Sequence, residues 1–310
     1  MNVYILGSGF SAEAGIPVTK QVIPKIFSAT GKSAELTWVQ QWLGQRLFSH
    51  RPMWWEHTSI EEVISRLDLF KLYSDDQQRQ AEIAQVEETI LVEFIDLLQP
   101  REYKIESTYL DFAKALQAED TVVTFNYDLL VEHILKLSAV SFFAPYSFNQ
   151  TSSRVKLLKL HGSLNMYFCR ECGYVYTFPA TIYRHPYHLP IAKGEICSQC
   201  HQDLCKSLAQ VVVAPTLFKS YSIDLLQIWW YHAFKDLCQA QNIYFIGYSL
   251  PQADLLTKQL LFWAYKENST LKKVYLISGP RNQGEELRRI YGALLENTSL
   301  SFGQWINASR

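Results

Sequence analysis

The sequence lacks an excess of either charge. Lys and Arg together number 29 against 30 Asp and Glu, which gives a formal net charge of -1. Such a balance produces no long-range field that would attract a polyanion, so we do not expect nucleic acid as the main partner. The sequence also has no basic or acidic tail, internal repeat or low-complexity segment. Its 310 residues, 48% of them hydrophobic and 19% charged, predict one large α/β domain with a small satellite.

Long apolar runs are absent as well. No uninterrupted run reaches the length of about 18 residues that indicates a membrane span. The first predicted strand follows Met1 almost directly, which leaves no room for a secretory leader. We therefore expect a cytosolic protein without a membrane partner. In a reducing cytosol the six cysteines are expected to be metal ligands or buried thiols rather than disulfides.

An apolar run that begins at Val3 leads into Gly7, Ser8 and Gly9, with Ala12 three residues further on. The β-branched and aromatic residues predict a buried parallel strand. The GxGxxA turn would let backbone N–H groups approach a pyrophosphate at the start of the next helix. A glycine turn without a ligand produces the same short motif. Residues 3–19 are therefore a candidate nucleotide site whose interpretation depends on the later strand ends.

The rest of the chain alternates between helical and strand patterns. Helices are predicted at 34–48, 60–73, 78–98, 107–117, 127–137, 223–240, 253–266 and 285–295. Further strands are predicted at 121–126, 155–160, 243–246 and 273–277, and 211–214 is expected to return the chain to the main domain. This alternation predicts an α/β fold with a doubly wound, mostly parallel, Rossmann-like sheet. We expect a helical insertion at about 34–99 and a small four-cysteine zinc module at about 166–208.

Polar side chains follow two of the predicted strands. Asn126 and Asp128 come at the end of the strand 121–126, and His161 follows the strand 155–160. Because the carboxyl ends of parallel strands meet at one crevice, we expect these groups to face a nucleotide held by the glycine turn. Taken singly, Asn126 and Asp128 could instead cap the next helix, and His161 could be a satisfied strand-end histidine.

Two Cys-x-x-Cys pairs, Cys169 with Cys172 and Cys197 with Cys200, lie in a stretch with few aliphatic residues. Four thiolates at this spacing are typical of a closed, tetrahedral zinc site of the structural kind, which has no open position for catalysis. Since the stretch lacks the apolar content for a core of its own, we expect zinc to supply most of its folding free energy.

Other assignments of these cysteines stay open. Alternative zinc ligands nearby are Cys205, His201, His185 and His188. A thiol-redox role for one Cys-x-x-Cys pair is a further alternative. Cys238 lies in a predicted apolar helix and is expected to be a core residue.

Five features in chain order resemble the sirtuin (silent information regulator) family, and more closely its divergent bacterial sirtuin-like branch. They are GSGFSAEAGIP, TFNYD, KLHGSL, the two Cys-x-x-Cys pairs and GYSLPQAD. The resemblance covers nearly the whole chain. It implies NAD as the ligand and substrate, and zinc as a structural ion.

The resemblance also implies a role for each matching position. His161 would be the general base, Asn126 would lie by the ribose and the attacking nucleophile, and Asp128 would bind the nicotinamide carboxamide. The residues that would contact NAD are Gly7, Ser8, Gly9, Phe10, Ser11, Gly15, Pro17, Asn126, Asp128, Gly247, Ser249 and Ser278.

Two departures separate this chain from the protein deacylases of that family. Val18, Thr19 and Lys20 stand where deacylases carry Asp-Phe-Arg after Gly-Ile-Pro. Residues 212–216 replace the V-x-F-G-E segment, which pairs with the acyl-lysine peptide as an added strand. Pro215 has no N–H to donate to such a ladder, so the sequence argues against a peptide held in this way.

The sequence thus predicts NAD glycohydrolysis to nicotinamide and ADP-ribose, of the kind that divergent bacterial sirtuin-like proteins use in antiphage defence. NAD-dependent protein deacylation and non-catalytic sensing of NAD or ADP-ribose are the alternatives. We expect restraint by an oligomeric state, a closed loop or a partner. The pairs 54–55 and 229–230, all tryptophan, are either core or an oligomer interface. Glu61 and Glu62 fit acids in the first turn after a helix N-cap.

Overall fold

A parallel sheet, with its N-terminal strand at the centre, organises the chain. The computed structural model describes residues 1–28, 32–99, 103–178, 194–217, 219, 223–251, 254–279 and 284–308. The strands, in chain order, are β1 (Asn2–Leu6), β2 (Thr121–Thr124), β3 (Phe142–Phe143), β4 (Val155–Lys159), β5 (Gly162–Cys169), β6 (Val175–Thr177), β7 (Leu208–Val212), β8 (Asn242–Ile246), β9 (Lys273–Ile277) and β10 (Leu295–Asn297).

The main sheet has seven strands in the order β10-β9-β8-β1-β2-β4-β3, and every neighbouring pair is parallel. In register, Val3 of β1 lies opposite Thr121 of β2 on one side and Ile243 of β8 on the other. Parallel neighbours need crossover connections, and helical segments provide most of them. The predicted doubly wound, mostly parallel sheet is therefore confirmed.

The α-helices surround this sheet. In chain order they are α1 (Ser8–Ala12), α2 (Thr19–Ser28), α3 (Ala34–Arg46), α4 (Ile60–Leu72), α5 (Gln77–Leu98), α6 (Ser107–Ala115), α7 (Leu130–Leu137), α8 (Leu204–Ser207), α9 (Asp224–Gln239), α10 (Leu255–Glu267), α11 (Glu285–Tyr291) and α12 (Phe302–Ala308). Short 3-10 turns occupy Trp54–Glu56 and Gly292–Leu294.

Apolar residues of β1 are divided between the two faces of the sheet. Tyr4 and Leu6 join a core with α2 to α7, whereas Val3 and Ile5 join a second core with α9 to α11. Successive side chains of a strand point to opposite faces, so a strand buried on both faces reads as a continuous apolar run. This explains why residues 3–6, with the sequence VYIL, include no charged side chain.

The helices α3, α4 and α5 form the helical segment that the sequence predicts before residue 99. Ser33 and Ser59 cap α3 and α4 through side-chain oxygens that accept the N–H groups of Leu36 and Glu62. Glu61 and Glu62 occupy the first turn of α4, as predicted from the N-cap pattern. Acids there are favoured by the helix dipole.

The Cys-rich segment forms a second, antiparallel sheet in the order β6-β5-β7. The sequence predicts that residues 211–214 rejoin the main domain. Val211 and Val213 are buried in the main core with Val3 and Ile5, while the backbone of β7 pairs with β5 of the small sheet. A small apolar cluster also packs there, with Tyr167, Leu204 and Leu208 buried around Cys169 and Cys197. The expectation that this segment has no core of its own is therefore wrong, because tyrosine and leucine outside the cysteine pairs supply one.

Two predicted helices differ from the observed ones. The helix predicted at 285–295 ends at Tyr291, and the chain continues into the edge strand β10. The helix predicted at 127–137 begins at Leu130, because Asp128 belongs to the turn before it. Ala253, the predicted start of the next helix, lies outside the described residues, and α10 begins at Leu255.

The tryptophan pairs contribute to the cores. Trp54 and Trp229 are buried, and Trp55 and Trp230 are partly buried against the two main clusters. Among the described residues, no helix combines the length and the apolar character that a membrane span requires.

Candidate functional site

Five strands of the main sheet deliver polar or glycine residues to one crevice at their carboxyl ends. A cavity of about 410 Å³ lies there. The residues predicted from the sequence that line it are Gly7, Ser8, Gly9, Asn126, His161, Gly247, Ser249 and Ser278. They follow β1, β2, β4, β8 and β9, as the parallel topology requires.

The glycine turn after β1 is packed against the end of β8. The Gly9 N–H donates to the Gly247 carbonyl oxygen at 2.9 Å. Gly247 has φ +61, and a Cβ there would lie 2.1 Å from the Phe10 nitrogen. A Cβ at Gly7 would lie 2.6 Å from the Gly247 oxygen. These glycines allow two backbone turns to touch, and the Gly9 amide is already bonded within the protein.

Asn126 joins the end of β2 to the glycine turn. Its Nδ2 donates to the Gly7 carbonyl oxygen and to the Ser11 hydroxyl, both at 2.9 Å. Both amide hydrogens are thereby used, so Asn126 can meet a ligand only through Oδ1, as an acceptor. The side chain is buried, which fixes this acceptor in one orientation.

Asp128 lies in a smaller recess of about 60 Å³, next to the main cavity. Predicted site residues that line it are Ser8, Ser11, Pro17, Asn126 and Asp128. Burial raises the pKa of Asp128, and the ammonium of Lys159 opposes the increase. One carboxylate oxygen accepts the N–H of Leu130, the first residue of α7, at 3.0 Å, although Leu129 and not Asp128 is the N-cap of that helix.

His161 is buried at the end of β4, between two aromatic rings. Its ring centroid lies 5.0 Å from that of Phe125 and 5.9 Å from that of Tyr127. Burial and, to a smaller extent, the Lys219 ammonium lower its pKa to about 4, against the opposing effects of Asp254 and of a hydrogen bond at the Phe125 backbone. The imidazole is therefore neutral at neutral pH, which is the form that can accept a proton.

Among the described residues, four charged ones line the cavity without a predicted role in binding or catalysis: Lys20, Glu61, Lys219 and Asp254. Lys219 and Asp254 form an ion pair whose side chains are only 6% and 3% exposed. The Tyr248 hydroxyl donates to the other Asp254 oxygen at 2.7 Å. Burial raises the pKa of Glu61, and Lys219 opposes it. Asp254 ends the segment GYSLPQAD and could have been found from it, but nothing near Lys219 in the sequence singles it out.

Phe10 and Gly15, also predicted as NAD contacts, lie elsewhere. The Phe10 side chain is completely buried and packs edge-on against Tyr109, Phe112 and Phe302. Gly15 is exposed and has φ +93. Neither is among the described residues that line the two cavities.

The segment 213–217 runs beside His161, and several of its backbone groups are bonded within the protein. The Val213 N–H donates to the His161 carbonyl oxygen at 2.9 Å, and the Val213 carbonyl accepts the Tyr127 hydroxyl at 2.8 Å. The Thr216 N–H donates to the Ala214 carbonyl at 2.8 Å. Since Pro215 has no N–H, little of this edge is left to pair with another strand.

Helix α4 fastens the far end of the same segment. The Leu217 N–H donates to the Ser65 hydroxyl at 2.8 Å, and the Thr216 hydroxyl donates to the Asp68 carboxylate at 2.6 Å. The Ser65 and Thr216 hydroxyls lie 3.2 Å apart. The helical segment before residue 99 therefore covers and holds one wall of the crevice.

The four predicted cysteine ligands come together. One sulfur from each of Cys169, Cys172, Cys197 and Cys200 lies within 4.8 Å of the others. The Sγ atoms of Cys169 and Cys200 are 3.6 Å apart, as are those of Cys172 and Cys197. A tetrahedral zinc with bonds of about 2.3 Å separates its sulfurs by about 3.8 Å, so the group fits this ion. Of the alternative ligands, Cys205 and His201 are outside the group, and His185 and His188 lie outside the described residues.

A family model described as a SIR2-like domain matches residues 120–301. A Sir2 homologue mutant in complex with 2'-O-acetyl ADP ribose is 18% identical, with 99% of this chain and 89% of that chain covered and a TM-score of 0.49. A Sir2 homologue mutant in complex with ADP ribose is 17% identical, with 99% and 89% covered and a TM-score of 0.49.

A structure titled "The Structural basis of Sirtuin Substrate Affinity" is 15% identical, with 99% of this chain and 92% of that chain covered and a TM-score of 0.46. No curated protein matches the sequence. The family match includes the strand ends with Asn126, His161 and Gly247, together with the four cysteines. Because it spans more than half of the chain, this protein belongs to the SIR2-like family.

Proposed function

We propose that this protein is an NAD glycohydrolase, which cleaves NAD to nicotinamide and ADP-ribose. The observation that carries the proposal is the closed edge at 213–217, next to His161. Backbone groups of Val213 and Leu217 are bonded to His161, Tyr127 and Ser65, and Pro215 has no N–H, so an acyl-lysine peptide would find little of a ladder edge to join. Water then remains as the acceptor of the ADP-ribosyl group.

NAD would bind along the crevice at the carboxyl ends of the strands. Ser8, at the glycine turn, would meet the pyrophosphate, and Gly247 and Ser249 would border the adenosine side. The Ser278 hydroxyl supports this placement, because it is buried, lines the cavity and has no hydrogen-bond partner among the described residues. The nicotinamide would occupy the recess beside Asp128.

The chemistry follows from the groups in place. The N-glycosidic bond breaks, nicotinamide leaves with the bonding electrons, and the ribose carbon develops oxocarbenium character. An ionised Asp128 would accept the carboxamide N–H, and Oδ1 of Asn126 would orient the ribose or the attacking water. Neutral His161 would take the proton of that water as its oxygen bonds to the ribose carbon. Four thiolates would hold zinc as a structural ion, away from the reaction.

Purified protein incubated with NAD, alone, as an assembled oligomer and with candidate activators, tests the proposal. We expect nicotinamide and ADP-ribose in equal amounts, and a loss of about 100-fold or more in His161→Ala. His232→Ala is a matched control, because His232 is also buried but bonds the Ser147 carbonyl, remote from the crevice. Failure of the wild type to release nicotinamide under all these conditions would overturn the proposal.

The same assay separates the alternatives. Nicotinamide release only in the presence of an acyl-lysine peptide would assign deacylation instead. Binding of NAD with no turnover, and biological activity that survives His161→Ala, would assign a sensing module.

The resemblance to the divergent bacterial branch extends the proposal to NAD depletion during phage infection. Overexpression of the wild type alone should leave cellular NAD constant, because an unrestrained NAD hydrolase would harm its host. Phage infection should then lower NAD in cells with the wild type and not in cells with His161→Ala. Constant NAD in both infected cultures would contradict this role.

A further inference from the structure

A buried lysine connects the two strand ends that carry the proposed catalytic groups. Lys159 is the last residue of β4 and precedes His161 by two positions. Its side chain is only 3% exposed. A buried ammonium is tolerated only where its hydrogens find acceptors, so its contacts identify what it holds.

These contacts lie in the turn after β2 and in the first turn of the helix that follows it. The Nζ atom donates to the Asp128 carbonyl oxygen at 2.5 Å and to the Tyr127 carbonyl oxygen at 3.4 Å. It also pairs with the Glu132 carboxylate at 2.9 Å, in the first turn of α7. One ammonium at the end of β4 thus binds both the loop that carries Asn126 and Asp128 and the first turn of α7.

We infer that Lys159 is a positioning residue for the NAD site: it fixes the Asn126–Asp128 loop relative to His161 and supplies the positive charge that faces the Asp128 carboxyl. This inference rests on the proposed function, since it concerns the same reaction. The Lys159 side chain is buried and does not line either of the two cavities described above.

The charged and titratable groups around Asp128 come from several elements. Lys159 on β4 favours the ionised carboxyl, and Glu132 on α7 disfavours it. Tyr103, before α6, and Tyr109, on α6, also face Asp128, and its charge is one reason why their pKa values are raised. Lys159 is thus the cation among these groups that opposes the effect of burial on the pKa of Asp128.

The ionisation of Asp128 decides what the recess can bind. A carboxylate accepts hydrogen bonds at both oxygens, whereas a carboxylic acid presents one oxygen as a donor. The Leu130 N–H already occupies one oxygen. The Ser11 hydroxyl also hydrogen-bonds this carboxylate. An amide NH₂ from nicotinamide therefore needs one of the remaining acceptor positions of the ionised carboxylate, and the Lys159 ammonium favours that ionised form.

The test compares two double variants, each of which replaces one lysine of β4 together with its carboxylate partner and so leaves the net charge unchanged. Lys159→Met with Glu132→Gln removes the buried ammonium and its carboxylate partner together, so no unpaired charge of this pair is left. Lys156→Met with Asp236→Asn is the matched control, because this pair is also buried, at 17% and 10% exposure, and lies at the opposite end of β4. Lys159→Arg keeps the charge and serves as the conservative variant.

Two readouts are needed: the titration of the Asp128 carboxyl, followed by carbon-13 NMR, and the pH dependence of nicotinamide release. In the Lys159→Met double variant we expect the Asp128 titration to move upward by about one pH unit or more. The acidic limb of activity should move with it, and kcat/KM should fall about tenfold or more at neutral pH. The control and Lys159→Arg should keep the wild-type titration.

An unchanged Asp128 titration in the Lys159→Met double variant would overturn the inference. A shift of the Asp128 titration in Lys159→Arg as large as that in the Met double variant would overturn it as well. These outcomes do not depend on turnover, because the titration is measured in the protein itself. A wild type that releases no nicotinamide would instead refute the proposed function, so the two failures are distinguishable.

Discussion

The Thr216 hydroxyl donates a 2.6 Å hydrogen bond to the Asp68 carboxylate, and this contact joins the wall of the crevice to helix α4. Thr216 is 5% exposed, so the bond is shielded from water. Thr216→Val preserves the shape of the side chain and leaves the carboxylate without its partner. We expect the free energy of unfolding to fall by about 1–3 kcal/mol, measured by urea denaturation.

Thr89→Val is the control for this change. Thr89 also donates to a carboxylate, that of Glu35 at 3.2 Å, but on an exposed helix surface. Its replacement should change stability by no more than about 0.5 kcal/mol. Equal effects of the two variants would contradict the view that α4 fastens the segment 213–217.

Gly247→Ala should abolish NAD binding and destabilise the fold by about 3 kcal/mol or more, since φ is +61 and a Cβ would lie 2.1 Å from the Phe10 nitrogen. Gly292→Ala separates the two causes, because Gly292 has φ +55 and a Cβ there would meet no atom of the described residues within 4 Å. That control should lose about 1–3 kcal/mol of the free energy of unfolding from backbone strain and should keep NAD binding. Calorimetry measures NAD binding, and thermal unfolding measures stability, for both variants. Equal losses of binding and stability in Gly247→Ala and Gly292→Ala would refute the packing argument.

The low pKa of His161 makes stability depend on pH in a defined window. In the folded protein the pKa of His161 is about 4, against an ordinary value of 6.5, so the unfolded chain binds the proton first as the pH falls. Above about pH 6.5, His161 therefore has no effect of this kind on the free energy of unfolding. Between about pH 6.5 and about pH 4 it lowers that free energy progressively, by about 3 kcal/mol in total. His161→Asn should remove this part of the acid sensitivity in denaturation measured at about pH 7.5 and about pH 4.5. An unchanged slope would contradict the buried, neutral imidazole.

Lys219 and Asp254 should shift the pKa of His161 in opposite directions. The Lys219 ammonium lowers the pKa of His161 and the Asp254 carboxylate raises it. Lys219→Met should therefore move the His161 titration upward, and Asp254→Asn should move it downward. Either variant breaks a buried pair and should lower stability by about 3–5 kcal/mol. Proton NMR of the imidazole measures the titration, and shifts of the same sign in both variants would exclude this arrangement.

Zinc removal should unfold the small antiparallel sheet. Elemental analysis should find one zinc per chain, and Cys172→Ala should lower this content because it removes one of four thiolates. Chelation should lower the melting temperature of the wild type. Cys205→Ala is the control, since Cys205 lies outside the group of four and should retain the full zinc content. A wild type purified without zinc, and insensitive to chelation, would show that the thiols do not hold the ion.

Sequence patterns were sufficient for the features that depend on local chemistry. The glycine turn after β1, the polar ends of β2 and β4 and the two Cys-x-x-Cys pairs are each written in a few adjacent residues. The parallel topology then implies that the strand ends meet, and they do so at Gly7, Asn126 and His161.

Features that depend on distant pairing were not readable in this way. The membership of β7 in the small sheet is decided by its pairing with β5, about 40 residues earlier in the chain, and its apolar run fits either sheet. Lys219 gains its importance only from Asp254 and His161, and no local pattern marks it. Three-residue β10 is too short to show a strand period.

The central position of β1 has a consequence for synthesis of the protein. β1 is synthesised before one of its two neighbours, β8, which begins at Asn242, and the Gly9 amide finds its acceptor only at Gly247. A ribosome-bound chain must therefore keep β1 paired on one side only until β8 has emerged. The crevice cannot assemble on the nascent chain before residue 247 is available, so the glycine turn is made long before the backbone that it packs against.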